Sequence, residues 1–348
     1  MRILIRATNW VGDAIMALPA LRAICKRFPE AKIVIVARSY VADLYRNQEI
    51  CDQLISYDPQ GVHAGISGRE RLAAQLRAQD FDVALLLQNA FDAAWLAWRA
   101  NIPERIGYAR DARSLLLTKA VPLPRPGEIP AHEQFYYLEL LRRVGWVDSV
   151  QATSFIRMNV PREECERAAE FLASSGSRTN VLRVAIGAGA SFGSAKCWPP
   201  SRFAELANRL QSQSDADVIL FGTAAEATVS NVISVGMGHP PIDLTGKTAI
   251  ADLPALLSQC HLFIGNDSGA MHVAAAVGLP VVAVFGPTDP RGTSPVTPRC
   301  TIVQEKPHCS PCFLRRCPID HRCMTVITPD TVEAAVKPWL SSLEVTRA

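Results

Sequence analysis

Residues 262–290 place the strongest constraint on the fold of this chain. The stretch reads LFIGNDSGAMHVAAAVGLPVVAVFGPTDP: a short apolar run, a polar turn at 265–269, an alanine-rich helical run and a second apolar run at 281–285. This order predicts strand, turn, helix and strand, the unit from which parallel sheets are built.

The turn in this unit suits an anionic ligand. The first N–H groups of a helix lack partners, and the helix dipole is positive there. Asp267, Ser268 and Gly269 lie in the turn, and His272 lies one helical turn further on. Because α/β sheets bind ligands at the carboxyl ends of their strands, the turn predicts a pocket for a phosphorylated ligand. An ordinary, well-capped connection is the alternative.

The rest of the chain repeats the alternation of short apolar runs and helical segments. Predicted strands lie at 3–5, 32–37, 82–87, 184–187, 217–221, 261–264 and 281–285. Predicted helices lie at about 13–28, 68–79, 133–144, 201–212, 251–257, 270–277 and 329–343. Continuous β-branched runs separated by helices favour parallel sheets covered on both faces. We therefore predict an α/β fold of two Rossmann-like domains, residues 1–160 and 161–348, whose sheets face a central cleft. The last helix could pack back on the first domain.

Composition narrows the class of protein. Of 348 residues, 49% are apolar and 20% are charged, which are globular values. The net charge of +3 is too small to argue for nucleic acid. The opening MRILIRA runs directly into a polar turn, so no signal peptide is expected, and run 270–286 is too short and broken to span a bilayer. We expect a cytoplasmic protein whose ten cysteines are reduced.

Asp13 is the candidate for acid–base chemistry. The turn ATNWVGD follows the first strand and opens the first helix, so it brings the Asp13 carboxylate to the top of the sheet. A carboxylate there could act as a general base toward a hydroxyl. It could equally cap the helix.

Two further positions in the second half are candidates for ligand binding. Lys196 follows the small and polar residues Ser191 and Ser194 in GAGASFGSAKCWP, where backbone can approach phosphates and a lysine supplies charge. The loop lacks P-loop spacing, which weakens this interpretation. Glu226 follows the strand at 217–221, where an acid often holds ribose hydroxyls; a solvated acid at a helix start is the alternative.

A cysteine-rich segment near the carboxyl terminus is the candidate metal site. It contains Cys309, Cys312, Cys317 and Cys323, with His308 and His321 beside them. Such a density of thiols could bind a structural zinc ion or an iron–sulfur cluster. A reduced, packed loop is the alternative.

Together these motifs resemble glycosyltransferase family 9, the ADP-heptose:lipopolysaccharide heptosyltransferases, whose fold is GT-B. The resemblance covers nearly the whole chain and rests on ILIRATNWVGDAIMALPAL, LLLQNAFDAAWLAWRANIPERIGYARDARSLLLT, GASFGSAKCWPPSRFAEL, VILFGTAAE and GNDSGAMHVAAAVGLPVVAVFGPTDP. NWVGD, FGSAKCWP and NDSGAMHVAAA look most like the heptosyltransferase II group, which adds the second inner-core heptose. The heptosyltransferase I group is similar but tends toward a DTG-type turn. The cysteine-rich segment departs from the shortest members and looks like a feature of some heptosyltransferase II sequences.

The resemblance implies an inverting transfer from ADP-L-glycero-D-manno-heptose to a hydroxyl of a lipid-anchored core oligosaccharide. Asp13 matches the base that deprotonates the acceptor, and Glu226 matches the ribose-binding acid. The donor-diphosphate site is matched by Lys196 with its loop residues Ser191 and Ser194, by Asp267, Ser268 and Gly269, and by His272. Catalysis of this kind needs no divalent metal or other cofactor. The acceptor implies peripheral contact with the cytoplasmic face of the inner membrane.

Three alternatives are weighed against this interpretation. The first is a heptosyltransferase I or another family 9 sugar transferase. The second is a GT-B sugar-nucleotide epimerase, which would bind a nucleotide diphosphate in the same half but need no lipid acceptor. The Gly12-Asp13 turn argues against it. The third, from a different class, is a metal-dependent interaction module that uses the cysteine-rich segment.

Overall fold

A computed structural model describes residues 1–347 of the chain, with side chains described through Ser342. The chain divides into two compact units, unit 1 at Met1–Thr153 and unit 2 from Ser154 onward. The sequence placed this division at residues 160 and 161. Each unit is an α/β structure with its own parallel sheet and its own core.

In the part of the chain that the structure describes, unit 1 is built on a six-stranded parallel sheet of order β3-β2-β1-β4-β5-β6. Its strands are β1 Arg2–Arg6, β2 Lys32–Ala37, β3 Gln53–Ser56, β4 Val83–Leu86, β5 Glu104–Tyr108 and β6 Lys119–Val121. Its helices are α1 Val11–Met16, α2 Leu18–Arg27, α3 Ser39–Tyr45, α4 Gly65–Arg77, α5 Phe91–Arg99 and α6 Glu133–Arg143. The chain order reverses direction between β1 and β4, so the switch point of this sheet lies at their carboxyl ends.

Within its described residues, unit 2 has the same design, a six-stranded parallel sheet of order β12-β11-β10-β7-β8-β9. Its strands are β7 Arg183–Gly187, β8 Asp217–Leu220, β9 Ile242–Asp243, β10 Leu262–Asn266, β11 Val281–Phe285 and β12 Cys300–Gln304. Its helices are α7 Arg162–Ser174, α8 Pro200–Ser214, α9 Ala227–Gly236, α10 Leu253–Ser258, α11 Gly269–Ala276, α12 Pro290–Thr293, α13 Arg322–Thr325 and α14 Pro329–Arg347. Here the switch point lies between β7 and β10.

The prediction of an α/β fold with two parallel sheets is confirmed. Every residue of β10 and β11 is buried, as expected for central strands covered on both faces. The predicted strands are central or next to central ones. Edge strands β3, β6, β9 and β12 carry polar residues or are very short, so their sequences lack the apolar run that marks a central strand.

The first helix predicted from the sequence is interrupted in the structure. The helix predicted at 13–28 is divided at Ala17 into α1 and α2, because Pro19 has no N–H group and begins a new helix more readily than it continues one.

In α14, the buried side chains Val332, Val336 and Leu340 belong to the core of unit 2. An apolar face of α14 is thus buried within its own unit. No helix among the described residues is long and apolar enough to cross a membrane.

Candidate functional site

The switch point of unit 2 brings together two of the predicted segments. The loop that carries Lys196 follows β7, and the turn at Asp267 follows the neighbouring strand β10. Lys196 Nζ lies 2.5 Å from Asp267 Oδ2, and the exposed fractions of these side chains are only 12% and 4%. Thr288 Oγ1, in the loop after β11, donates to the same carboxylate oxygen at 2.6 Å. The carboxylate of Asp267 is therefore committed to Lys196 and Thr288.

Asn266 fixes these two segments to each other. It is fully buried, and its Oδ1 accepts from the backbone N–H of Trp198 at 2.9 Å while its Nδ2 donates to the carbonyl of Ala188 at 2.6 Å. The indole of Trp198 is also buried and donates to the carbonyl of Ile327. Because every polar atom of the Asn266 amide side chain is paired in the core, the geometry of the Lys196 loop is set before any ligand binds.

Ser268 is the N-cap of α11 and has an extended backbone. Its side chain makes no capping hydrogen bond, and its buried Oγ has no hydrogen-bond partner among the described residues. Gly269 begins the helix, and His272 lies one turn further in, with only 4% of it exposed. A hydroxyl without a partner beside the first N–H groups of a helix is an arrangement suited to an anionic oxygen.

Ser191 and Ser194 lie on the exposed side of the same loop. Between them, the ring of Phe192 is half-buried, and Lys196 Nζ lies 4.9 Å from its centroid. Ser194, Ala195 and Lys196 form one turn of 3-10 helix. The loop therefore presents two hydroxyls and an aromatic face next to the Lys196–Asp267 pair.

Glu226 lies beside a small cleft of about 10 Å³, room for no more than a water molecule, that is lined by apolar residues such as Ile186, Leu220 and Val229. Its Oε2 accepts from the backbone N–H of Thr223 at 2.7 Å in a capping box. A Cβ atom at Gly189 would lie 1.6 Å from Glu226 Oε1, so only glycine lets this carboxylate reach the end of β7. Glu226 thus has a local structural role and also borders the cleft.

In unit 1, Asp13 lies in the first turn of α1, at the carboxyl end of β1 and next to the switch point. The N-cap of α1 is Trp10, and Asp13 is the third residue of the helix. Asn9, in the preceding loop, accepts from Arg6 Nη2 at 2.9 Å through Oδ1 and from Tyr40 Oη at 2.6 Å through its carbonyl. These hydrogen bonds fix the loop that precedes Asp13.

Arg6 was not singled out by sequence reasoning, although it ends the first strand. Only 3% of it is exposed, and burial lowers the pKa of its guanidinium to about 10. The guanidinium lies 5.1 Å from the ring centroid of Tyr57, and that of Arg38 lies 5.6 Å from the same ring. The loop before Asp13 is therefore built over a buried cation.

Glu133 is a second acidic residue near Asp13 that the sequence did not reveal. It begins α6, and its pKa is raised to about 7, first by burial and then by the negative charge of Asp13, while Arg110 opposes the shift. Tyr137, on the same helix, is buried, and burial together with Asp13 and Glu133 raises its pKa well above the usual value. A carboxyl that holds its proton near neutral pH thus lies beside the candidate base.

A groove of about 480 Å³ begins at this point of unit 1. The Pro-rich segment at 123–131 forms one wall, and His132, Glu133 and Tyr136 at the start of α6 form the other. The Pro-rich segment is therefore one side of a groove next to Glu133.

The cysteine-rich segment of unit 2, residues 309–323, lies against the candidate site. The N–H groups of Cys312 and Phe313 donate to the carbonyl of Pro287, at 3.0 and 2.8 Å. His321 Nε2 lies 2.7 Å from the carbonyl of Ala195 in the Lys196 loop. The segment therefore contacts the loops that follow β7 and β11.

The cysteines of this segment differ in exposure. Cys323 is buried, Cys312 is exposed, and Cys309 and Cys317 are intermediate. Burial raises the pKa of Cys323 to about 11, and the neighbouring thiols of the other three add to the shift. No three His, Cys, Asp or Glu side chains in the described chain are arranged to hold a metal ion. The four thiols are close enough to influence one another, and a metal at this segment stays a prediction.

Comparison with known proteins gives one family. Residues 69–322 match the family described as glycosyltransferase family 9 (heptosyltransferase). The match spans the groove segment of unit 1, the Lys196 loop, the turn at Asp267 and nearly all of the cysteine-rich segment.

Individual proteins match over most of their length. Lipopolysaccharide heptosyltransferase 2 of Salmonella typhimurium is 30% identical over 87% of this chain and 88% of its own length. Lipooligosaccharide heptosyltransferase 2 of Haemophilus influenzae is 31% identical over the same shares. The solved structure of Escherichia coli ADP-heptose lipopolysaccharide heptosyltransferase II superimposes with a TM-score of 0.84 at 27% identity, covering 99% of this chain and 100% of that one.

Proposed function

Because this chain belongs to glycosyltransferase family 9, the heptosyltransferases, and is a glycosyltransferase, we propose that it transfers heptose from ADP-L-glycero-D-manno-heptose to the inner core of lipopolysaccharide. We further propose that it adds the second core heptose. The support is the similarity to proteins named heptosyltransferase 2 over nearly nine-tenths of the chain, together with an anion-suited site at the switch point of unit 2.

The donor diphosphate is proposed to bind at the start of α11. The unpartnered hydroxyl of Ser268 and the N–H of Gly269 would bind its oxygens. Ser191 and Ser194 would bind from the facing loop, and His272 would lie beneath. Asp267 repels a phosphate, so its role would be to hold the ammonium group of Lys196 at a fixed position. Glu226, which follows β8, would bind the ribose hydroxyls of the donor.

Asp13 is proposed to act as the general base. The acceptor hydroxyl would attack the anomeric carbon from the face opposite the leaving group and lose its proton to the Asp13 carboxylate. A new carbon–oxygen bond forms as the bond between the anomeric carbon and the diphosphate oxygen breaks, so the configuration inverts. Negative charge grows on the departing ADP, where fixed N–H groups and the cation of Lys196 would stabilise it. This scheme needs no divalent metal.

The acceptor is proposed to be a lipid-anchored core oligosaccharide, which would bring the protein into peripheral contact with the cytoplasmic face of the inner membrane. The groove beside Glu133 in unit 1 is the proposed acceptor surface, because it lies next to the candidate base.

The direct test is incubation with ADP-heptose and defined truncated core acceptors, with the product identified by mass. An acceptor that already carries one heptose should gain a second. Transfer only to an acceptor that lacks heptose would support a heptosyltransferase I activity instead. No mass gain with either acceptor would contradict the proposal.

A further inference from the structure

The charge of Lys196 is matched by a carboxylate of the protein itself. Its ammonium group lies 2.5 Å from the Asp267 carboxylate, and neither side chain is more than slightly exposed. A nucleotide-sugar diphosphate carries a negative charge on each phosphate. Two phosphates against one neutralised pair leave an excess of negative charge, so a donor site at this point needs another cation.

Arg315 is such a cation, and it comes from the cysteine-rich segment. Its guanidinium carbon lies 5.3 Å from the ring centroid of Phe192, the ring that Lys196 Nζ approaches at 4.9 Å. Arg315 is exposed, and no carboxylate pairs with it among the described residues. Its charge is therefore available to a ligand on the Lys196 loop.

The backbone contacts fix Arg315 in this position. The N–H of Ala195 donates to the Arg315 carbonyl at 3.1 Å. Gly193 has φ +154°, and a Cβ atom there would lie 2.2 Å from the same carbonyl oxygen. The close approach of the two segments therefore depends on glycine at 193.

The cysteine-rich segment has a second attachment, at the end of β11. Ser310 Oγ donates to the carbonyl of Gly286 at 2.7 Å, and Cys312 and Phe313 donate to the carbonyl of Pro287. Attachment at the ends of both β7 and β11 gives Arg315 a defined place relative to the Lys196–Asp267 pair.

We propose that Arg315 binds the diphosphate of the nucleotide-sugar donor and supplies the unpaired positive charge of that site, which makes the cysteine-rich segment part of the donor site. The inference rests on the proposed function. A guanidinium suits this role because its planar fork of N–H groups matches phosphate oxygens and keeps its charge at every relevant pH.

The test compares Arg315→Gln with Arg316→Gln, the neighbouring exposed arginine, which contacts neither Phe192 nor a carboxylate among the described residues. ADP affinity is measured by calorimetry for both variants and the wild type. Arg315→Gln should weaken ADP binding roughly tenfold to hundredfold, the range of a charge-assisted hydrogen bond. Arg316→Gln should bind ADP like the wild type, and Arg315→Lys should recover part of the loss.

Steady-state kinetics separate a binding role from a structural one. Arg315→Gln should raise KM for the donor while leaving KM for the acceptor and the melting temperature unchanged. Wild-type ADP affinity in Arg315→Gln would overturn the inference, as would an equal loss in both variants. Failure of the proposed function looks different, because the wild-type protein itself would then bind no ADP and transfer no heptose.

Discussion

The ammonium group of Lys196 and the carboxylate of Asp267 form a nearly buried ion pair with a separation of 2.5 Å. The two residues come from loops after different strands, and Thr288 holds the same carboxylate from a third. The ion pair and Thr288 therefore hold three loops together at the carboxyl edge of the unit 2 sheet.

Replacement of Lys196 should affect both folding and donor binding. Lys196→Ala leaves the carboxylate of Asp267 buried without its cation, a change that commonly costs about 3–5 kcal/mol of stability. We expect a lower melting temperature, weaker ADP-heptose binding and slower transfer. Calorimetric melting and donor titration measure these effects.

A double variant separates the effect of replacing Lys196 on stability from its effect on donor binding. Lys196→Met combined with Asp267→Asn removes both charges, so stability should recover while donor binding stays weak. The exposed Lys26 of unit 1 gives a matched control, Lys26→Ala, which should bind donor normally. Normal donor affinity in Lys196→Ala would place this lysine outside the donor site.

Asp13→Asn should remove most turnover and leave ADP affinity nearly intact. Loss of a general base commonly lowers the rate by about 10²–10⁴-fold, and the proposed ADP contacts lie in unit 2. Single-turnover transfer and ADP titration test the two halves of the prediction. Asp43→Asn, which breaks only an exposed ion pair with Arg46, is the control. Near-normal turnover in Asp13→Asn would return Asp13 to a structural role.

Glu133 should make transfer depend on pH near neutrality. Its pKa of about 7 means that it is largely protonated below pH 7 and charged above it. A negative charge on Glu133 favours transfer of the acceptor's proton to the nearby Asp13 carboxylate. The transfer rate should therefore rise as pH increases through 7. Glu133→Gln should lose this rise and fall roughly tenfold below the wild type at pH 8, the effect of about one pKa unit. A pH–rate profile of kcat/KM measures it.

The same residue predicts a change in stability. The pKa of Glu133 is higher in the folded than in the unfolded chain, so folded protein binds more protons between about pH 4.5 and 7. Its contribution to stability is lost as pH rises through that window, and Glu133→Gln should remove the loss. The exposed Glu30 provides the control variant Glu30→Gln. Identical pH–rate and pH–stability curves for Glu133→Gln and the wild type would contradict the assignment.

A structural metal at Cys309, Cys312, Cys317 and Cys323 stays a prediction. If the four thiols converge on a metal when it binds, purified protein should contain about one zinc per chain or show an iron–sulfur chromophore. Chelation should then lower the melting temperature more than the initial transfer rate, because the proposed chemistry runs without a divalent ion. Metal analysis and melting with and without chelator measure this. Metal-free protein with an unchanged melting temperature would favour a reduced, packed segment.

The central strands could be predicted from the sequence because both faces of a parallel sheet are buried, which requires runs such as KIVIVA and VVAVF. The start of α11 could also be predicted, because strand, turn and helix follow one another directly in the sequence there. Contacts between residues that are far apart in the sequence could not be predicted. No local sequence pattern indicates that Asp267 pairs with Lys196. The same holds for the proximity of Glu133 to Asp13 and for the contact of Arg315 with Phe192.

The buried amide side chain of Asn266 has a mechanical consequence. Because it accepts from Trp198 N–H and donates to the Ala188 carbonyl, it couples the Lys196 loop to the end of β10, so these segments move as one body. Ligand entry must therefore be accommodated by exposed side chains such as those of Ser191 and Arg315 rather than by lifting of the loop. In hydrogen–deuterium exchange, the amide of Trp198 should exchange as slowly as amides of the central strands, with or without nucleotide.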